Sequence, residues 1–338
     1  MSRMRNLVFV LGLLGICGVT LLADLAALKV KKKDEDTITT ATTATPLPRT
    51  KPLLHQMAPS IFSMNADTGL IDLPDEIDTV IIDVGARESD YLALLEARGK
   101  QQQFKDQPQT IALILVDPLP DSLMPLQRRV VNYALRNNNK QKLHPHYMNR
   151  VFAVNGAMAE QEGQMTFNVG KGAACSSLLN TSSTNTFWCA KSTRKIPVLV
   201  YTLADLLALI PQRPTITSMH LKVDAEGADL IVLKGAREAI ERLDTVVIEC
   251  KPESSSSSSS TQKTVFEGEC YYDQARDYMA TRGFDGAGAQ KQGHAVNAYF
   301  WKQNNATVPE YLTKHPIVHR NLYTSIQSQL RHPLETVL

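Results

Sequence analysis

From residue 79 onward the chain alternates strand-length apolar runs with segments of helical pattern, and that alternation leaves few folds open. "TVIIDV" (79–84), "IALILV" (111–116), "RVFAV" (150–154), "MHLKV" (219–223) and "TVVIEC" (245–250) have strand length and β-branched content. Between them, "SDYLALLEARG" (89–99) reads as a helix stopping at Gly99, and "DSLMPLQRRVVNYALRNNN" (121–139) as a second. Pro125 either lies in the first turn of that second helix or marks a later start. A third follows Gly227. Strands alternating with helices imply right-handed crossovers and a mostly parallel sheet covered on both faces, which is why its strands are apolar almost throughout. The fold class is therefore α/β. "MTFNV" (165–169) and "IPVLVYT" (196–202) are extra strands in a longer connection, "TLADLLALI" (202–210) is a short helix, and Gly283 to Lys302 is a closing hairpin.

What precedes the alternation is different in kind. "LVFVLGLLGICGVTLLA" (7–23) is a run of seventeen uncharged residues behind Arg3 and Arg5. It exceeds the usual apolar core of a signal peptide, roughly 7–15 residues, and no small-x-small cleavage site follows, so it reads as a membrane anchor. Basic residues flank both ends, so its orientation stays open. The Thr, Ala and Pro of 29–52 read as a flexible stem, and "DED" at 34–36 within it as solvated charge. The expected division is anchor 1–28, stem 29–75, α/β domain 76–303 and polar tail 304–338. Sequons at Asn180 and Asn305 fit a lumenal domain on a stem, in the ER or Golgi. Seven serines at 254–260 cannot pack a core and read as a loop insertion or low-complexity drift. Of the five cysteines, Cys17 lies in the apolar run, and the other four allow three pairings in an oxidising compartment or none in a reducing one. No spacing suggests zinc, and a net charge of +2 does not imply nucleic acid as a partner.

Chemistry gathers where strands end. In "LKVDAEGADLIVLKGA" (221–236) an apolar run meets Asp224, Glu226 and Asp229, carboxylates that are costly to bury unpaired and that belong where a strand surfaces and a helix begins. Open α/β sheets bind ligands at such strand ends. In "IIDVGARESD" (81–90) a strand ending in Asp83 passes Gly85 into a helix, a turn where backbone N–H groups can approach a ligand. Asp117 ends the next strand, where an acid can accept from both ribose hydroxyls of a nucleoside, or cap the following turn. The dinucleotide pattern GxGxxG is absent. His220, His144 and His146 read as packed or surface histidines.

The order "IDVGA", "VDPLPD", "FAVNGAMAEQEGQMTFNV", "SSLL", "VYTLADLL", "LKVDAEGADLIVLKGA" and "VVIE" resembles the FkbM-type family of S-adenosylmethionine-dependent methyltransferases, over about residues 79–250. The resemblance implies a class I Rossmann-like methyltransferase fold and methyl transfer to an oxygen of a glycan or small metabolite. It implies cofactor contacts from Asp83, Gly85 and Ala86, with Asp117 on the cofactor ribose. Asp224, Glu226 and Gly227 match an Asp-x-Glu-Gly element beside the transferred methyl. Where the family's cofactor loop reads Gly-Ala-Asn-x-Gly, this chain has Arg87 and Ser89: Ser89 could cap the next helix, and Arg87 could grip the methionine carboxylate. Asp224 is the first candidate for the base that takes the acceptor's proton and Glu226 the second, unless the pair only complements a helix N-terminus. Asp224, Glu226 and Glu249 could also hold Mg²⁺. A methyltransferase-like module without activity, or a lumenal glycosyltransferase, are the alternatives.

Overall fold

The computed structural model describes residues 51–87, 89, 91–92, 110–136, 150–171, 175–182, 189, 194–252, 265–292 and 295–302. The apolar run 7–23, the stem to residue 50, most of the 89–99 helix, His144, His146, the serines 254–260 and the tail from 304 lie outside them. Among the described residues no helix is long and apolar enough to cross a membrane.

The five apolar runs are strands: β1 (Thr79–Val84), β2 (Ile111–Asp117), β3 (Val151–Asn155), β7 (Ser218–Val223) and β8 (Thr245–Cys250). With the hairpin β9 (Gly286–Gln292) and β10 (Ala295–Trp301) they form a seven-stranded sheet in the order β3-β2-β1-β7-β8-β10-β9. All neighbours from β3 to β8 pair in parallel, and β10 runs antiparallel to both β8 and β9. The connection after β3 carries a separate three-stranded sheet of β4 (Ala157–Met158), β6 (Arg194–Tyr201) and β5 (Gly163–Val169).

Alternate residues of each central strand enter different clusters. Val80, Ile82, Ala112, Ile114 and Val116 pack on one face with α1 (Leu53–Ile61) and α3 (Leu203–Leu209), and Ile81, Leu113 and Leu115 on the other with Leu126 of α2 (Pro120–Arg136). That double burial is why β1 and β2 show no polar alternation. Helix α2 starts at Pro120 and runs through Pro125, so the proline does not delay it. Thr202 caps α3 by accepting from the Asp205 N–H at 3.2 Å.

One boundary needs correcting. Residues 53–73, drawn from sequence as the end of the stem, belong to the core: Leu54, Ala58, Phe62, Ile71 and Leu73 are buried in the larger cluster, and the Ile71 N–H donates to the Leu209 carbonyl at 2.9 Å. The low-complexity neighbourhood concealed an apolar face at the i, i+4, i+8 spacing of Leu54, Ala58 and Phe62. The three possible cysteine pairings resolve to Cys175–Cys189 and Cys250–Cys270.

Candidate active site

The sheet grows outward from β1 through β2 to β3, then restarts on the other side of β1 with β7 and β8. Its reversal point lies between β1 and β7, where loops leaving the carboxyl ends part and open a crevice. A cavity of about 420 Å³ occupies that crevice, walled by Gly85 and Arg87 after β1, Asp117 and Leu119 after β2, Gly156 and Met158 after β3, Lys222, Asp224 and Glu226 of β7 and its loop, and Glu249 of β8. Ser176 and Leu178 close it from a segment tied by the Cys175–Cys189 bond.

Of the residues expected to contact the cofactor or take the acceptor's proton, Gly85, Arg87, Asp117, Asp224 and Glu226 meet there, while Asp83 and Ala86 do not. Asp83 is wholly buried within β1, off the cavity wall, because the strand continues past it to Val84. Its Oδ2 accepts from the Ser89 hydroxyl at 2.7 Å and its Oδ1 from Lys222 Nζ at 3.5 Å. Ala86 is also off the wall, packed with Ile81, Tyr91 and Leu92. Cofactor contact by these two side chains is therefore not what the structure offers. Ser89 takes the Leu92 N–H at 3.3 Å on the same hydroxyl, an N-cap that also steadies Asp83. The serine that departs from the family's glycine thus lines the cavity with its hydroxyl already engaged by Asp83 and the Leu92 N–H.

Gly85 has a physical reason of its own. Its φ is +80°, and a Cβ there would lie 1.9 Å from the Asp224 carbonyl oxygen. The turn after β1 packs directly on the end of β7, so the crevice depends on a residue without a side chain.

Asp117 combines the two roles open to it. Oδ1 accepts from the Leu119 N–H at 2.8 Å, fixing the turn before α2, while Oδ2 has no partner among the described residues. Burial first, then the charge of Asp83, raise its pKa to about 6, against the Leu119 hydrogen bond and Arg87.

The three carboxylates of the β7 loop divide their work. Asp229, at the first residue of α4 (Asp229–Lys234), is wholly buried and accepts three backbone N–H groups, from Ala225 at 3.4 Å, Gly227 at 3.2 Å and Glu249 at 3.3 Å. It stitches the loop to the end of β8. Burial and the neighbouring Asp224 push its pKa well above the ordinary range, although those N–H groups pull the other way. Asp224 is paired with Lys222, Nζ to Oδ2 at 3.4 Å. Glu226 has no hydrogen-bond or ion-pair partner among the described residues and sits at φ +51°, a left-handed conformation that costs a non-glycine residue of order 1–3 kcal/mol. Burial, then the charges of Asp224, Glu249 and Asp229, drive its pKa to about 8 against the pull of Arg87. Glu249 is raised to about 7, by burial and then by Asp224.

Sequence reasoning missed Lys222 and raised Glu249 only as a possible Mg²⁺ ligand, although Lys222 stands out as a lysine inside the apolar run "MHLKV". Among the described residues no three His, Cys, Asp or Glu side chains converge as metal ligands. His220 is buried in β7 with Nδ1 2.6 Å from the Thr245 hydroxyl, and burial lowers its pKa to about 4, a neutral packed histidine.

The sequence matches the model of the methyltransferase FkbM domain over residues 83–285, more than half of the 338 residues. The chain belongs to the FkbM methyltransferase family. That family's cofactor is S-adenosylmethionine, and the cavity suits it: Asp117 presents a free carboxylate oxygen as a ribose diol requires, and the three further acids of the lining, Asp224, Glu226 and Glu249, complement the sulfonium and ammonium that such a ligand carries. No curated protein matches the sequence. Among solved structures the chain is similar to PigF with SAH, at 12% identity and a TM-score of 0.30, covering 68% of this chain and 51% of that one. It thus spans about half the length of PigF. An uncharacterized protein from Listeria monocytogenes serotype 4b is similar at 10% identity and a TM-score of 0.30, covering 76% of each chain. Likenesses at this level do not bear on function.

Proposed function

We propose that the chain transfers a methyl group from S-adenosylmethionine to a hydroxyl of a glycan or small metabolite. The observation that carries this reading is the meeting, on one cavity wall, of Asp117 with a free oxygen and Glu226 with no partner. The bound cofactor supplies an electrophilic methyl on a sulfonium, which leaves as a neutral thioether. Asp117 holds the ribose. Arg87, exposed on the rim, would hold the carboxylate of the methionine end.

Glu226 takes the acceptor's proton as the new C–O bond forms. Asp224 is less suited, because its carboxylate is already committed to Lys222. A carboxyl with a pKa near 8 is a stronger base than an ordinary glutamate once ionised, and the approach of a cationic ligand favours that ionisation. Close alignment of donor and acceptor contributes most of the remaining acceleration.

A lumenal, oxidising location behind the apolar N-terminal run belongs to the same proposal, supported by the pairing of Cys175 with Cys189 and Cys250 with Cys270. Free thiols at those positions in the native protein would exclude it.

Calorimetric titration of S-adenosylmethionine and S-adenosylhomocysteine tests the cofactor site, with Asp117→Ala as control. Hydrogen bonds to a charged acceptor contribute about 1.5–3 kcal/mol each, so the variant should bind at least about tenfold more weakly. A folded wild-type chain that binds neither ligand would replace the enzyme by a methyltransferase-like binding module.

A further inference from the structure

Lys222 and Asp83 are an improbable pair for a doubly covered sheet. Each interrupts an apolar strand, they are register partners on β7 and β1, and they stand 139 positions apart in the chain. A matched aliphatic pair would fill that row without the desolvation penalty of two charges. The pair must therefore be weighed by what it holds.

Lys222 Nζ lies 3.5 Å from Asp83 Oδ1 and 3.4 Å from Asp224 Oδ2. Asp83 beneath it is fixed through its other oxygen by Ser89, and Asp224 beyond it is two positions along the same strand direction. The ammonium thus spans the reversal point of the sheet, with one end of its reach inside β1 and the other on the cavity wall. Its side chain is 26% exposed, against none for Asp83 and 35% for Asp224, so it grades from interior to cavity.

We propose that Lys222 is a positioning residue of the transfer site: by binding Asp83 and Asp224 together it joins the ends of β1 and β7, keeps the Asp224 carboxylate engaged on the cavity wall, and leaves Glu226 as the carboxylate free to act. This rests on the methyl-transfer reading above. The charged groups that act on the ammonium are Asp83 from β1, Asp224 from the loop after β7 and Glu249 from β8; Asp224 and Glu249 in turn act on Glu226 and Asp229, Arg87 on Glu226, and Lys251, just past β8, on Glu249. Within this set Lys222 and Lys251 are the cations that oppose the rise of the Glu249 pKa. Loss of Lys222 should move Glu249 further upward.

The test needs no acceptor. Glutamate carboxyls carrying ¹³C are titrated by NMR in the ligand-free full chain, with Glu249→Gln to assign the signal, in the wild type, Lys222→Arg, Lys222→Met and the double variant Asp83→Asn with Lys222→Met. Unfolding in urea is followed in parallel. Lys222→Met should lose stability, because Asp83 is left buried and unpaired, and the added Asp83→Asn should restore most of it. In the restored double variant the Glu249 midpoint should still lie about one unit above wild type, the low end of what removal of a neighbouring opposite charge gives, and Lys222→Arg should return it. A double variant that regains stability and also the wild-type midpoint would reduce Lys222 to a structural ion pair and overturn the proposal. So would an S-adenosylhomocysteine affinity that falls at least hundredfold in the restored double variant with no shift of the midpoint, since Lys222 would then grip the ligand directly. Failure of the wild type to bind either nucleoside, with the midpoint shift present, would instead remove the methyl-transfer reading and leave Lys222 organising the carboxylates of a binding module.

Discussion

Asp229 offers the sharpest test of how the β7 loop is held. Its two oxygens take three backbone N–H groups at 3.2–3.4 Å, and those donors belong to both the loop and the end of β8. Asp229→Ala strands all three donors in a site with no exposure to water. At about 1 kcal/mol net for each bond, the loss is about 3 kcal/mol, before the loop relaxes from the left-handed conformations of Glu226 and Gly227. Asp229→Asn keeps an oxygen for the Ala225 and Glu249 N–H groups and turns its amide toward that of Gly227, so it should cost about 1–2 kcal/mol.

The pH dependence carries a sign. The folded Asp229 pKa is raised above its unfolded value, so the carboxyl supports the fold fully below the unfolded value and progressively less as pH climbs toward the folded one. Neither substituted side chain ionises, so the gap between wild type and variant should narrow from pH 5 to pH 8. Urea unfolding measures the gap, and amide exchange at Ala225, Gly227 and Glu249 reports whether these three open first. If Asp229→Ala unfolds within about 0.5 kcal/mol of wild type with the three amides still protected, the stitching role assigned to Asp229 is wrong.

Gly85→Ala should abolish S-adenosylhomocysteine binding and cost at least about 3 kcal/mol, because its methyl would meet the Asp224 backbone. Gly69→Ala, also at positive φ (+67°) but with nothing within 4 Å, should cost only about 1 kcal/mol; equal losses in denaturant melts would refute the packing argument. Across the whole protein, Asp117, Glu249 and Glu226, raised to about 6, 7 and 8, bind protons more tightly folded than unfolded. Their contribution is full below about pH 4 and lost as pH rises through 6 to 8, a decline of about 1–2 kcal/mol after allowing for partial exposure and coupling. Thermal melts above pH 7, where His220 no longer changes charge in either state, should show it, and Glu226→Gln should flatten that segment; a wild-type melting temperature that rises from pH 7 to pH 8.5 would contradict the raised values.

The strands of the central sheet were legible because their burial is two-sided. Every residue of "IALILV" meets protein, so the apolar run itself is the signal. Where burial is one-sided the signal thins: α5 (Tyr272–Ala280) fully buries just Ala275 and Met279, four positions apart, with Tyr272 and Tyr278 half-buried beside them among polar residues, and no strong apolar period marks it. The candidate site shows the same division. Residues at strand ends were found by position, since a parallel sheet places them at the crevice whatever their contacts. Partners across the sheet were not, because no local pattern joins Lys222 to Asp83 or Glu249 to the Asp229 carboxylate.

One inference was nevertheless available. A charge inside a strand buried on both faces must find its counter-charge on an adjacent strand or in the loop above, because no other element can reach it. In this chain the described central strands that carry such charges are β1, β2, β7 and β8, four of the five whose ends wall the cavity, each with an acid or Lys222 near its carboxyl end. A charged residue in an apolar strand therefore locates not only itself but the crevice, and the pairing of opposite charges says which two strands flank it. By that reasoning the lysine of "HLK" calls for an acid on a neighbouring strand, and among Asp83, Asp117 and Glu249 it is Asp83 of "IID" that stands in register with it, beside the reversal point at which the site is built.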